Sequence, residues 1–215
     1  MSEERRKFKR ETAEQRKEAL IRATLALVAE NGVRGATVRG IAERADVTQG
    51  LIRHYFSSKE DLIIAAYEHH MTAMTDQTFA FAAVVDSSAR DKLAALVRAS
   101  LEPPVADPHA VALWASFLNK VQTDPHMKAT HERTYAYFRD QLQELIRAAL
   151  EEAGQPTPEA RMRHLATACN GVIDGLWMEG GALPDAFAPG ELPGIGLESV
   201  GAIIGLDLEQ KAEQP

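Results

Sequence analysis

At 215 residues, with 45% hydrophobic and 26% charged side chains, the chain has the makeup of an ordinary globular protein with ample material for one large domain or two small ones. Its net charge of −7 argues against a nucleic-acid binder taken whole, yet residues 1–60 hold 13 Lys/Arg against 9 Asp/Glu while residues 61–215 hold 11 against 22. No apolar run approaches the length of about 18 residues that a membrane span needs, Met1–Gln15 is too polar for a signal peptide, and the lone Cys169 excludes an intramolecular disulfide, so a cytoplasmic protein is expected.

Met1–Glu11 carries Arg5, Arg6, Lys7, Lys9 and Arg10, and reads equally as a solvated tail or as an arm that touches phosphates. Thr12-Ala13-Glu14-Gln15 is a capping-box pattern opening a first helix, whose Ala19, Leu20, Ala23, Leu27 and Val28 share a face and which stops at Asn31-Gly32. From Thr37 the pattern tightens. Val38, Ile41, Ala42 and Ala45 recur at i, i+3, i+4, i+7 behind a Thr37 N-cap, and Asp46-Val47 leaves room only for a turn. Thr48 caps the next helix, with Leu51, Ile52, Tyr55 and Phe56 behind it and Thr48, Gln49, Gly50, Arg53 and His54 in front. Apolar anchors behind and hydrogen-bonding groups in front are what a major-groove reader requires, so a helix-turn-helix is expected.

Ser57-Ser58-Lys59-Glu60 gives a further capping box and a long helix to about Val85, with Lys59 in its positive first turn. Beyond the Asp86-Ser87-Ser88 break, Lys92–Leu101 is a short amphipathic helix. Asp107-Pro108 and Asp124-Pro125 each place an N-cap before a proline, predicting helices over 108–123 and 125–153. Thr157-Pro158-Glu159 opens another, running to Gly180-Gly181. Ala182–Gly196, rich in Pro and Gly, reads as a loop, and Leu197–Leu208 as a last helix in which Gly201 and Gly205 admit a close neighbour. No alternating strand pattern is present. The fold class expected is all-α, with about nine helices: a head over residues 1–57 and a helical body over 58–215.

The run Thr-Val-x-x-Ile-Ala-x-x-Ala-x-Val-Thr-x-Gly-x-Ile-x-x-Tyr-Phe-x-x-Lys-Glu-x-Leu, from Thr37 to Leu62, resembles without a gap the amino-terminal domain of TetR-type transcriptional repressors. One departure is Asp46, where the family places Gly in a left-handed turn; Asp tolerates that conformation better than most residues. The resemblance implies a homodimer that binds a palindromic double-stranded DNA operator and releases it when a small-molecule effector enters the body. Matched position by position, it implies that Arg39, Thr48, Gln49, Gly50, Leu51 and Arg53 approach base edges, and that Thr37, His54, Tyr55 and Lys59 approach the backbone. The helices over 158–180 and 197–208, apolar and rich in small residues, are the candidates for the subunit interface.

Ala110–Met127, with Trp114, Phe117 and Asp124-Pro125, together with Gly171-Val172-Ile173-Asp174-Gly175-Leu176-Trp177, resembles the body of the BetI-like branch of that family. The resemblance implies choline as the effector. Spacing supplies a separate physical reason. Trp114 and Phe117, Tyr135 and Phe138, and Asp174 and Trp177 are i, i+3 pairs on three helices, and aromatic faces around one carboxylate suit a quaternary ammonium. The competing reading is packed core, with Arg98 or Arg139 as the partner of Asp174. His69-His70, His126, His131 and the solitary Cys169 lack metal-ligand spacing, and neither a nucleophile elbow nor a phosphate-cradling glycine loop is found, so no metal, cofactor or catalytic residue is expected. Alternatives within the family are a fatty acyl compound, a drug-like cation or a purine as effector; a helical enzyme or a protein–protein adaptor are more distant alternatives.

Overall fold

The computed structural model describes residues 12–84 and 87–209; the basic segment Met1–Glu11 lies outside them. Among the described residues every regular element is helical. The helices are α1 (Ala13–Gly35), α2 (Val38–Arg44), α3 (Gln49–Tyr55), α4 (Lys59–Ala83), α5 (Ala89–Leu101), α6 (Pro108–Thr123), α7 (Pro125–Glu152), α8 (Glu159–Ala182) and α9 (Glu191–Ile204), with a single 3-10 turn at Pro184–Ala186. The expected all-α class is what folds. Two compact units divide at Tyr67 and Glu68.

In the first unit, α2 packs on α1 and α3 packs on α2. Thr12 and Gln15 form the reciprocal capping box, with the Thr12 amide donating to Gln15 Oε1 at 2.9 Å and the Gln15 amide to Thr12 Oγ1 at 3.2 Å. Gly32 breaks α1 where the sequence places its end, at a φ of 68° that an L side chain rarely adopts. The core gathers Leu20, Val28, Ile41, Ile52, Phe56 and Leu62, each nearly or fully buried. Between α2 and α3, Asp46 has a φ of 53°, the left-handed turn expected of it. Ser58 caps α4 by accepting from the Asp61 amide at 3.0 Å, one residue later than a Ser57–Glu60 box.

In the second unit α5, α7, α8 and α9 pack around one core, and α6 lies against α7 and α8. Leu96, Val97, Leu142, Ile146, Met162, Leu197 and Val200 fill it. Asp107 and Asp124 cap α6 and α7 through the amides two and three residues on, each ahead of a proline in the first turn. α5 begins earlier than its apolar pattern suggests, because Ser88 caps it and Glu152 Oε2, from the end of α7, accepts from the Ala89 amide at 2.8 Å.

Two expectations need correction. The Pro/Gly-rich stretch Ala182–Gly196 is not all loop, since α9 starts at Glu191. Pro193 falls in the first turn, where its missing N–H leaves no helical bond unmade. Gly196 lies so close to α5 that a Cβ there would come within 2.4 Å of Leu101 Cδ1. Gly201 and Gly205, read as a landing strip for another helix, instead end α9. Gly205 sits at a φ of 76°, and the amides of Gly205 and Leu206 both return to the Gly201 carbonyl, at 2.8 and 3.0 Å.

Candidate functional site

The first unit offers a polar surface built by two short capped helices. Thr37 Oγ1 accepts from the Gly40 amide at 3.1 Å and Thr48 Oγ1 from the Leu51 amide at 3.3 Å, which fixes where α2 and α3 begin. α3 buries Ile52 inward, and Phe56 just beyond its end is buried too. Thr48, Gln49, Gly50, Arg53 and His54 remain exposed, as are Thr37 and Arg39, while Leu51, Tyr55 and Lys59 are half-buried at its edge. His54 and Tyr55 meet edge to face at 5.1 Å. Arg39 Nε binds Glu43 Oε1 at 3.0 Å, one turn along α2, in a pair so open to water that it holds the guanidinium weakly. Gly50 has room for a side chain: a Cβ there would find Thr48 Oγ1 as its nearest neighbour, at 3.8 Å, so nothing inside the unit demands glycine.

The second unit contains a cavity of about 70 Å³. At about 10–15 Å³ for each water position, that is room for roughly five to seven waters, or one small molecule. It is assembled from α4, α5, α6, α7, α8 and the connection after α5. Trp114, Tyr135, Phe138, Asp174 and Trp177 all line it, brought from α6, α7 and α8. Phe117 does not. Leu113, Phe117 and Val121 repeat at i, i+4, i+8 as the buried stripe of α6, and Trp114 stands on its flank. Trp114 and Trp177 meet edge to face, 5.8 Å between ring centres and 87° between planes.

The polar groups of the cavity are mostly acceptors. Thr75, Thr78, Ser100 and Thr134 line it, and each donates its hydroxyl proton to a carbonyl of its own helix at 2.8–3.1 Å, leaving oxygen lone pairs for the cavity. The Trp177 indole N–H is used too, donating to the Val105 carbonyl at 2.9 Å. Asp174 Oδ2 accepts from Asn170 Nδ2 at 2.9 Å, and no cation acts on it among the described residues. Arg98 is exposed and Arg139 is not its partner. Burial pushes the Asp174 carboxyl up to about 6, opposed in part by Asn170. Burial first, and then the charge of Asp174, hold the Tyr135 hydroxyl protonated well above the ordinary tyrosine range. Trp114 Nε1 lies close enough to that hydroxyl to oppose this shift, yet it makes no hydrogen bond and is itself buried.

Residues 20–66 match the family described as bacterial regulatory proteins, tetR family, and residues 89–205 match BetI-type transcriptional repressor, C-terminal. The chain belongs to the TetR family, BetI type. The HTH-type transcriptional regulator BetI 2 of Chromohalobacter salexigens is 31% identical over 181 residues, 82% of each chain. A transcriptional regulator from Pseudomonas aeruginosa PAO1, solved as a crystal structure, superposes with a TM-score of 0.82 at 29% identity, covering 94% of this chain and 97% of its own. Two more distant structures share the fold. One, from Saccharomonospora viridis, is in complex with choline (TM-score 0.70, 17% identity, 86% and 95% covered). The other, FadR from Bacillus subtilis, is in complex with stearoyl-CoA (0.68, 18%, 87% and 97%). TetR-family, BetI-type proteins are transcriptional regulators and not enzymes; regulators of this family bind DNA operators and small-molecule effectors, usually as dimers. No helix among the described residues is long and apolar enough to cross a membrane.

For this TetR-family chain, spacing along single helices missed part of the cavity. Asn170 was detectable, one turn before Asp174 on the same face of α8. The hydroxyls of Thr75, Thr78, Ser100 and Thr134 come from three helices, and the Val105 carbonyl from a loop, so no local pattern announces them.

Proposed function

We propose that this protein is a homodimeric, cytoplasmic repressor that holds a palindromic operator until a small quaternary ammonium compound, with choline as the leading candidate, occupies the body cavity. The observation that carries the reading is Asp174, a half-buried carboxylate among aromatic rings with no cation of the described residues acting on it. A buried charge without a partner is costly, and an aromatic wall attracts an ammonium head, so the missing partner is a cationic ligand. Acceptor-only hydroxyls around the cavity reinforce the preference. Its small volume disfavours a long acyl chain, and the choline complex of the Saccharomonospora viridis regulator agrees with the choice.

In the head, Gln49 and Arg53 on exposed α3 would read adenine and guanine edges, with Arg39, Thr48, Gly50 and Leu51 beside them and Thr37, His54, Tyr55 and Lys59 on the phosphates. For pairing, α8 and α9 expose Met178 and Ile195, and Gly171, Gly175 and Gly194 would meet nothing if given a Cβ, which suits close approach of a second copy. Effector occupancy would favour a dimer conformer whose heads no longer match successive major grooves, a shift in population between two states.

Binding to the DNA upstream of its own gene, at physiological salt and with or without choline, tests the whole reading. Tight, sequence-dependent binding weakened by choline supports it; equal, weak binding to every duplex rejects the specific regulator; binding that choline leaves unchanged rejects the effector.

A further inference from the structure

Most hydrogen-bond donors lining the cavity are already committed. The hydroxyls of Thr75, Thr78, Ser100 and Thr134 and the Trp177 indole all donate to backbone carbonyls, and Asn170 donates to Asp174. The exception is Trp114. Its Nε1 is buried, has no hydrogen-bond partner, and lies beside the Tyr135 hydroxyl in the cavity wall without bonding to it. Tyr135 is a second donor, because burial and the neighbouring Asp174 charge keep its proton on. An indole N–H left without an acceptor in a buried site costs free energy, and an oxygen placed beside it and the Tyr135 hydroxyl would remove that cost.

Resting on the cation-sensor reading of the same cavity, we propose that Trp114 Nε1 and the Tyr135 hydroxyl form an oxygen-binding subsite, so that the effector is a quaternary ammonium carrying an uncharged oxygen a short distance from its charged head. The aromatic faces and Asp174 take the head, and the two donors take the oxygen. Trp114 thereby adds specificity to its part in the aromatic wall. A plain tetraalkylammonium of equal size fills the space and satisfies the carboxylate, yet leaves the indole N–H unpaired.

The test compares choline with propyltrimethylammonium, in which a methyl replaces the hydroxyl, by titrating the full-length wild type and the Trp114→Phe variant. The wild type is expected to prefer choline by about five- to tenfold, the worth of one buried hydrogen bond, and Trp114→Phe, which keeps an aromatic face, to weaken choline more than propyltrimethylammonium and so reduce the preference. The Trp114 Nε1–H resonance of the wild type, which needs no variant to fold, is expected to shift with choline and much less with propyltrimethylammonium. Equal wild-type affinities, with the resonance unmoved by choline, overturn the subsite while leaving a cation site in place. Absence of binding by either compound at millimolar concentration removes the cation reading and the subsite with it.

Discussion

The helix-turn-helix surface and the body cavity are built by opposite means. In the head, two seven-residue helices, each fixed by a threonine cap, leave Gln49, Gly50, Arg53 and His54 in water. In the body, five helices and a loop converge on a small space where polar groups are partly withdrawn from solvent, and there burial raises the titration of Asp174 and Tyr135. A ligand that supplies its own charges and its own water, as DNA does, calls for exposed donors on a firm support. A small cation that must shed its water calls for a buried carboxylate already deprived of partners. The difference predicts that substitutions on the DNA-facing side of the head spare the fold, whereas in the body ligand affinity and stability should oppose each other.

The strongest way to break this contrast is Asp174→Asn. Choline affinity is expected to fall about a hundredfold, the size of one charge pair about 6 Å apart at an effective dielectric of about 20. Stability moves the other way. Because burial raises the Asp174 carboxyl to about 6, its favourable contribution is complete at acid pH, below the unfolded carboxyl range, and is lost as pH rises through about 6. At pH 7.5 the asparagine variant should therefore be the more stable protein, by as much as about 3 kcal/mol at the upper bound, readable by denaturant titration. A variant that loses both affinity and stability contradicts the opposition.

In the head, Arg53→Ala is expected to weaken operator binding by about tenfold or more with choline binding and thermal midpoint unchanged. Arg53→Lys sharpens the assignment, since lysine keeps a phosphate contact and loses a bidentate guanine pair; competition against operators altered at single base pairs distinguishes the two. A smaller effect is expected from Gly50→Ala. The unit has space for the methyl, and alanine favours a helix by up to about 1 kcal/mol, so the thermal midpoint should rise while operator affinity drops severalfold because the methyl stands in the DNA-facing surface. The smallest change belongs to Asp46→Gly. Relief of the left-handed backbone is expected to add up to about 1 kcal/mol of stability, measured by denaturant midpoint, with both binding activities unaltered.

The same contrast explains what could be read from sequence. Thr12, Thr37, Thr48, Asp107 and Asp124 announce their helices because a cap acts over only two or three residues, and all of them cap where expected. The left-handed Asp46 was legible through the family resemblance, which places Gly in that turn, and not from a local pattern. The start of α9 was not, because proline and glycine at 193, 194 and 196 argue against a helix, and the packing of Gly196 on Val97 and Leu101 that favours one lies far away in the chain. Five of the six side chains expected from helical spacing line the cavity, yet Phe117 does not, since an i, i+3 partner can fall either on a cavity wall or in the core stripe. That Trp177 Nε1 donates to a carbonyl 72 residues away, leaving Trp114 Nε1 as the unused indole, is tertiary information alone.

Calorimetric titration of the wild type with choline at pH 7.5 and pH 5 tests the central claim most directly, because the proposed cation site depends on the charge of Asp174. The expected result is binding at both pH values, weaker by about tenfold at pH 5, where the carboxyl is mostly protonated, and the pH dependence disappears in Asp174→Asn. Choline affinity equal at the two pH values, or no heat of binding at millimolar choline, would contradict it.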